Sequence, residues 1–214
     1  MPSKNLIKNF SENNFYHVYN RGVEKRDIFI DQQDCLVFLH YLKLYLSPLS
    51  EIQQLVKEGS AKLRFLNQNL SQEVDLIAYA LMPNHFHMLL RQNTKDGIPK
   101  LMRRASTAYV MYFNKKYERV GRLFQNIYKC GLVNTDEYLT HLSRYIHLNA
   151  WNLETPLNFK NFSSYKYFTN VYQVSWVKPS LILQYFSESF TYQNFVETYK
   201  IDSRKVLGDL TLED

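Results

Sequence analysis

A chain of 214 residues with 45% hydrophobic and 21% charged residues can bury a real core and is too apolar to be disordered throughout. Its apolar runs are too short to cross a bilayer and no charged-then-apolar leader opens it. Its two cysteines, Cys35 and Cys130, match no metal or redox spacing, so a cytoplasmic protein with reduced thiols is expected. The net charge of +6, together with 17 Tyr, 14 Phe and 2 Trp, favours a polyanionic partner whose phosphates meet Lys and Arg while its bases stack on rings, as single-stranded nucleic acid does.

Six Gly and six Pro are few, which predicts long regular elements. Phe15–Arg21 alternates and stops at Gly22, the pattern of a strand, with His17 and Tyr19 on one face and Tyr16, Val18 and Asn20 on the other. Asp34–Leu46 reads as a helix stopped by Pro48. The polar stretch that follows holds a helical piece over Glu51–Lys57. Val74–Leu81 and His85–Gln92 read as a hairpin about a Pro-Asn turn. Asn93–Pro99 has turn chemistry, including Asp96-Gly97. Lys100–Tyr117 reads as a helix with Leu101, Ala105, Ala108, Met111 and Tyr112 toward the core, and Leu123–Val133 as a fourth strand. Asp136–Asn149 is a further helix with Asn134 or Thr135 as its N-cap. Helical pieces over Pro179–Phe186 and Tyr192–Tyr199 precede a polar tail.

This order predicts an α+β chain. Its expected fold is a ferredoxin-like, split β-α-β antiparallel sheet of four to five strands with helices on one face, plus a mostly helical C-terminal extension. The boundaries are 1–152 for the first domain, with an insertion over about 47–73, and 153–214 for the extension.

Two clusters carry chemistry. His85 and His87 alternate with Phe86 at a strand start, so both imidazoles project from one face, either as a pair of metal ligands or as hydrogen-bonded core residues. On the last long helix, His141, Tyr145 and Asn149 are spaced four apart and form one polar stripe beside apolar Leu139, Leu142 and Ile146. A phenol can act as nucleophile, and an amide carbonyl one turn on can complete the coordination of a hard cation begun by two imidazoles. Tyr109, Tyr112, Tyr117 and Tyr138 have Phe, Lys, Gly and Leu at that position instead.

Met82-Pro83-Asn84-His85-Phe86-His87 resembles the His-hydrophobic-His motif of the IS200-like single-tyrosine (HUH) transposases, most closely those associated with repetitive extragenic palindromes (REP). Four more stretches share the resemblance in the right order: Tyr16 to Gly22, Tyr112 to Tyr117, Gly121 to Gln125 and Tyr138 to Asn149. One departure is Ala150, where relatives commonly carry Pro after the Asn. The resemblance implies Tyr145 as nucleophile and His85, His87 and Asn149 as ligands of Mg²⁺ or Mn²⁺. The implied reaction is a metal-dependent strand transfer on single-stranded or hairpin DNA, with REP-like palindromes as candidates, through a 5′-phosphotyrosine, as in transposition. Lys115, Lys116, Arg119, Arg122, Arg103 and Arg104 are expected DNA contacts, His141 and His17 helpers to the tyrosine, and a homodimer a candidate assembly. Two other functions compete: a non-catalytic nucleic-acid-binding protein on the same fold, and a metal-dependent nuclease that uses water.

Overall fold

Four strands, β1 (Asn14–Arg21), β2 (Val74–Met82), β3 (His85–Gln92) and β4 (Lys129–Val133), form one antiparallel sheet in the order β2-β3-β1-β4. The computed structural model describes residues 10–151, 157–169, 173–188 and 190–198. With α1 (Gln32–Leu46) between β1 and β2, and α4 (Gly97–Lys116) between β3 and β4, the order and pairing are those of the split β-α-β arrangement. Two short helices, α2 (Leu49–Lys57) and α3 (Arg64–Asn67), fill the excursion before β2 and add Ile52 and Phe65 to the core.

Strand alternation divides the sheet into two faces. Tyr16 and Val18 of β1 and Phe86, Met88 and Leu90 of β3 enter one core, against Phe38 and Leu42 of α1 and Leu101, Ala105, Tyr109 and Phe113 of α4. Ala78, Ala80 and Leu89 enter the other, against Leu139, Leu142 and Ile146 of α5 (Asp136–Trp151). A register shift between Leu76 and Ala78 bends β2, so Leu76 and Tyr79 both reach the first core. The expected placement of helices on one face holds for the crossover helices α1 and α4; α5 covers the opposite face.

Three local expectations change. α4 starts at Gly97 rather than Lys100, because Pro99 lies in a first turn whose N–H groups need no helical partner. Gly97 is required there: a Cβ would stand 2.5 Å from the Glu73 carbonyl oxygen. Met111 is exposed, and Tyr109 and Phe113 take the core positions one helical step away. β4 is only Lys129–Val133; Leu123 and Phe124 are buried anchors, Gly22 bridges Phe124, and residues 125–127 loop into solvent.

Asp34 ties α1 to α4. Asp31 and Asp34 form a capping box at the start of α1. The buried Asp34 carboxylate also accepts from Lys116 at 2.8 Å, Tyr112 at 3.0 Å and Tyr117 at 2.7 Å. Asp34→Ala strands these donors and is expected to cost about 3 kcal/mol, the lower end for breaking a buried ion pair because Lys116 is partly exposed. Urea denaturation at pH 7 checks this, and an unchanged midpoint would refute it.

The described part of the extension holds α6 (Tyr165–Phe168), α7 (Ser180–Leu183) and α8 (Tyr192–Glu197). It covers the free edge of β2: Ser164 N–H donates to the Tyr79 carbonyl at 2.9 Å and Lys178 N–H to that of Leu76 at 2.8 Å. Tyr192 joins His147 of α5 in a buried polar network. α7 is shorter than the expected Pro179–Phe186. Tyr199, the 152/153 boundary and the polar tail lie outside the described residues. Among the described residues no helix is long and apolar enough to cross a membrane.

Candidate active site

The β2–β3 turn is anchored before it presents any chemistry. The Pro83 carbonyl accepts from the backbone N–H groups of Ile28 and Phe29 at 2.7 and 2.9 Å. Asn84 Nδ2 donates to the Lys25 carbonyl, which turns its Oδ1 toward His85 Nδ1 at 2.6 Å. His85 Nδ1 therefore carries the proton, and a neutral ring holds its lone pair on Nε2.

His87 lies two residues on, its ring 5.1 Å from that of His85 and nearly perpendicular. It is buried, as is His17 of β1, and their Nδ1 and Nε2 atoms stand 2.7 Å apart. Burial holds His17 down at about 3, and burial first, then His17 and His85, holds His87 well below the ordinary range, so both rings are neutral. His87 Nε2 and His17 Nδ1 are buried without a hydrogen-bond partner.

α5 brings the second cluster to the first. Thr135 is its N-cap, with Oγ1 accepting from Tyr138 N–H at 3.1 Å. Leu139, Leu142 and Ile146 pack with Ala78 and Ala80, whose small side chains let the helix approach β2 closely. That docking places the buried Tyr145 ring edge-on to His87, with centroids 5.8 Å apart. One turn on, Asn149 Nδ2 is buried without a partner. The two ends of a carboxamide exchange by a half-turn, so this position can equally present the carbonyl oxygen.

The expected helpers have other engagements. His141 Nδ1 stands 2.6 Å from the Arg144 guanidinium and its ring lies against Phe195, while His17 faces His87. Of the expected DNA contacts, Lys115, Arg122 and Arg103 are exposed. Arg119 lies over the Phe113 ring, and Arg104 donates to the Gln68 carbonyl at 2.8 Å. Lys116 is committed to Asp31 and Asp34 at 2.6 and 2.8 Å. The Glu118–Arg122 turn lies at the end of the sheet where β3 begins: Val23 N–H donates to the Leu123 carbonyl and Gln125 N–H to that of Arg21.

Strand pairing adds residues that sequence reasoning did not name for the site. Arg21 lies opposite His85, Tyr19 opposite His87, and Lys129 opposite Tyr19, all on one face. The Tyr19 ring lies 5.5 Å from His87, with its hydroxyl buried and unpartnered; Lys129 Nζ stands 5.5 Å from the ring centroid. Burial first, then the neighbouring Tyr145, pushes the Tyr19 phenol up. The alternation of β1 already put Tyr19 on the face of His17. Its neighbours across the sheet follow only from register.

Comparison with known proteins enters on this geometry. No curated protein matches the chain. Among solved structures it is similar to a REP-associated tyrosine transposase bound to a REP hairpin, with a TM-score of 0.49, 9% identity, and coverage of 82% of this chain and 92% of that one. Residues 37–149, more than half of the chain, match the family described as IS200-like transposases, a span that includes His85, His87, Tyr145 and Asn149. The chain belongs to the IS200-like transposase family.

Proposed function

We propose that the chain is a metal-dependent DNA strand transferase. It cleaves single-stranded or hairpin DNA through a 5′-phosphotyrosine at Tyr145 and rejoins strands from that intermediate. The observation that carries this reading is the juxtaposition, within one chain, of Tyr145 with His87, whose Nε2 is buried and unpaired.

The residues fit a divalent cation. His85 and His87 would supply Nε2 lone pairs, and Asn149 would supply its carbonyl after a half-turn of the amide. The buried His87 Nε2, which otherwise lacks a partner, is then satisfied. Among the described residues no group of three His, Cys, Asp or Glu forms a metal site, so this ligand set draws on an amide. An imidazole and carbonyl set without thiolate suits Mg²⁺ or Mn²⁺ with open positions for phosphate oxygens. The bound ion supplies polarisation of the scissile phosphate and neutralises the charge that builds there.

The Tyr145 oxygen attacks phosphorus in line; one O–P bond forms as the bond to the 3′ oxygen breaks. The phenol gives up its proton and the departing 3′ oxygen leaves as a hydroxyl, which balances the step. The phosphotyrosine conserves the bond, so a 3′-OH can reverse the attack and no nucleotide cofactor is consumed. An ordinary phenol ionises near pH 10, so the step depends on its surroundings. Arg21 and Lys129 flank the histidines and would hold the strand's phosphates, with Lys115, Arg119 and Arg122 extending the basic surface at that end of the sheet. Because Tyr145 and His87 meet in one chain, the reading does not require a homodimer.

The test incubates the protein with end-labelled hairpin DNA and Mn²⁺, then separates the products on a denaturing gel. A protein–DNA band that disappears with EDTA is expected. Binding without an adduct would make the chain a non-catalytic DNA binder, and cleavage without an adduct a water-using nuclease.

A further inference from the structure

His17 and His87 stand nitrogen to nitrogen at 2.7 Å, with rings inclined by only 22° and centroids 4.9 Å apart. Two nearly coplanar imidazoles have this separation when joined edge to edge by one hydrogen bond; they are not stacked faces. Strand pairing enforces the arrangement. Tyr19 lies opposite His87 and His17 opposite Leu89, so His17 reaches diagonally to His87 on the shared face. The Tyr19 ring, 5.2 Å from that of His17, packs beside the pair.

One proton lies between the two rings, and its ownership decides what His87 can do. If His17 Nε2 donates, neutral His87 carries its own proton on Nε2 and cannot ligate. If His87 Nδ1 donates, its Nε2 keeps a bare lone pair. Without a cation the alternatives are balanced, since each leaves one N–H and one lone pair unpartnered on the two outer nitrogens. A cation at His87 Nε2 breaks the tie, and it does so only if His17 can accept.

We infer that His17 is a positioning residue for the metal centre, accepting a hydrogen bond from His87 Nδ1–H so that His87 Nε2 faces the cation as a bare, oriented donor. The inference rests on the metal-site reading above. It assigns His17 a role other than activating the tyrosine. Partners of this kind fix the tautomer and orientation of a ligating imidazole, and losing one typically costs 10–100-fold in metal affinity. A purely structural role would need volume there, not an acceptor.

The test measures Mn²⁺ affinity by titration calorimetry and by the electron paramagnetic resonance of free Mn²⁺, using the full chain. His17→Phe keeps the ring volume without the acceptor and is expected to weaken Mn²⁺ binding about 10–100-fold. His17→Gln, which retains an acceptor, is expected to recover most of that loss. Wild-type affinity in a folded His17→Phe protein would overturn the inference while leaving the metal site intact. Absence of Mn²⁺ binding in the wild type would instead remove the metal site itself. A measurement that needs no variant is ¹⁵N NMR of the Mg²⁺-saturated wild type. It is expected to show Nδ1–H tautomers for both His17 and His87, and an Nε2–H on His17 would overturn the assignment.

Discussion

Tyr145→Phe is expected to abolish the covalent protein–DNA adduct and to lower strand cleavage by at least about 10⁴-fold, the scale on which other enzymes lose activity when their nucleophile is removed. The substitution deletes one oxygen from a ring held by the α5 core, so the fold should survive with a stability change within roughly 1.5 kcal/mol. DNA and Mn²⁺ affinities are expected to stay within about threefold of wild type, because neither His85, His87 nor Asn149 is touched. Tyr19 makes the result discriminating. Its buried hydroxyl lies on the same side of the sheet, its ring is 5.5 Å from His87, and it is the nearest rival phenol described. Tyr19→Phe should leave the adduct in place. An adduct that survives Tyr145→Phe and disappears in Tyr19→Phe would transfer the nucleophile to β1; cleavage that survives both would remove tyrosine from the mechanism.

Stability should fall steeply between pH 6.5 and pH 5. His147 is buried on α5, with Nδ1 at 2.8 Å from the Tyr192 hydroxyl and Nε2 at 2.8 Å from Ser164 Oγ, and burial holds its pKa at about 3. Unfolded, the same imidazole titrates near 6.5. Below that value the unfolded chain binds a proton that the folded chain refuses, so the stability present above pH 6.5 is lost as pH falls toward 3. At 1.36 kcal/mol per pH unit, His147 alone accounts for about 2 kcal/mol between pH 6.5 and 5. His17 and His87 are held neutral by burial and add to the loss in the same direction. Most carboxylates titrate below this window and contribute little to it. Urea midpoints in EDTA at pH 7.5 and 5.0 measure the loss. Removing the titrating group with His147→Gln should shrink the pH-dependent difference by about 2 kcal/mol. A midpoint independent of pH over this range would refute the account.

The loss should begin where the extension meets α5, because the Tyr192 hydroxyl also lies 3.0 Å from Ser143 Oγ and Ser164 Oγ donates to the Tyr79 carbonyl. This network joins α8, α5 and the edge of β2. It fixes the helix that carries Tyr145 from the side opposite its N-cap, so the extension takes part in holding the site together.

Much of this architecture is written in local patterns. Alternation put His17 and Tyr19 on one face of β1, and His85 and His87 on one face of β3, because a pleated strand leaves a side chain no other choice. Helical spacing put Tyr145 one turn before Asn149 and set the Leu139, Leu142 and Ile146 stripe beside them, for the equivalent reason. The order of elements was enough for the split β-α-β fold, since short antiparallel connections and two crossovers leave few other topologies.

What local pattern does not contain is which faces meet. The meeting of His17 with His87 depends on the register of β1 against β3, and register is a property of two strands separated by three α-helices and β2. The exposure of Met111 and the core place of Tyr109 turn on a rotation of α4 that its sequence, apolar on several sides, leaves open. Lys116 looks in sequence like its neighbour Lys115, and only the packing of α4 against α1 shows that one cation is spent on Asp34 while the other remains exposed. The sequence by itself determined the chemical groups and their spacing along each element. The tertiary structure decided that α5 crosses the histidine face, because burying the Leu139–Ile146 stripe against Ala78 and Ala80 is what turns Tyr145 toward His87.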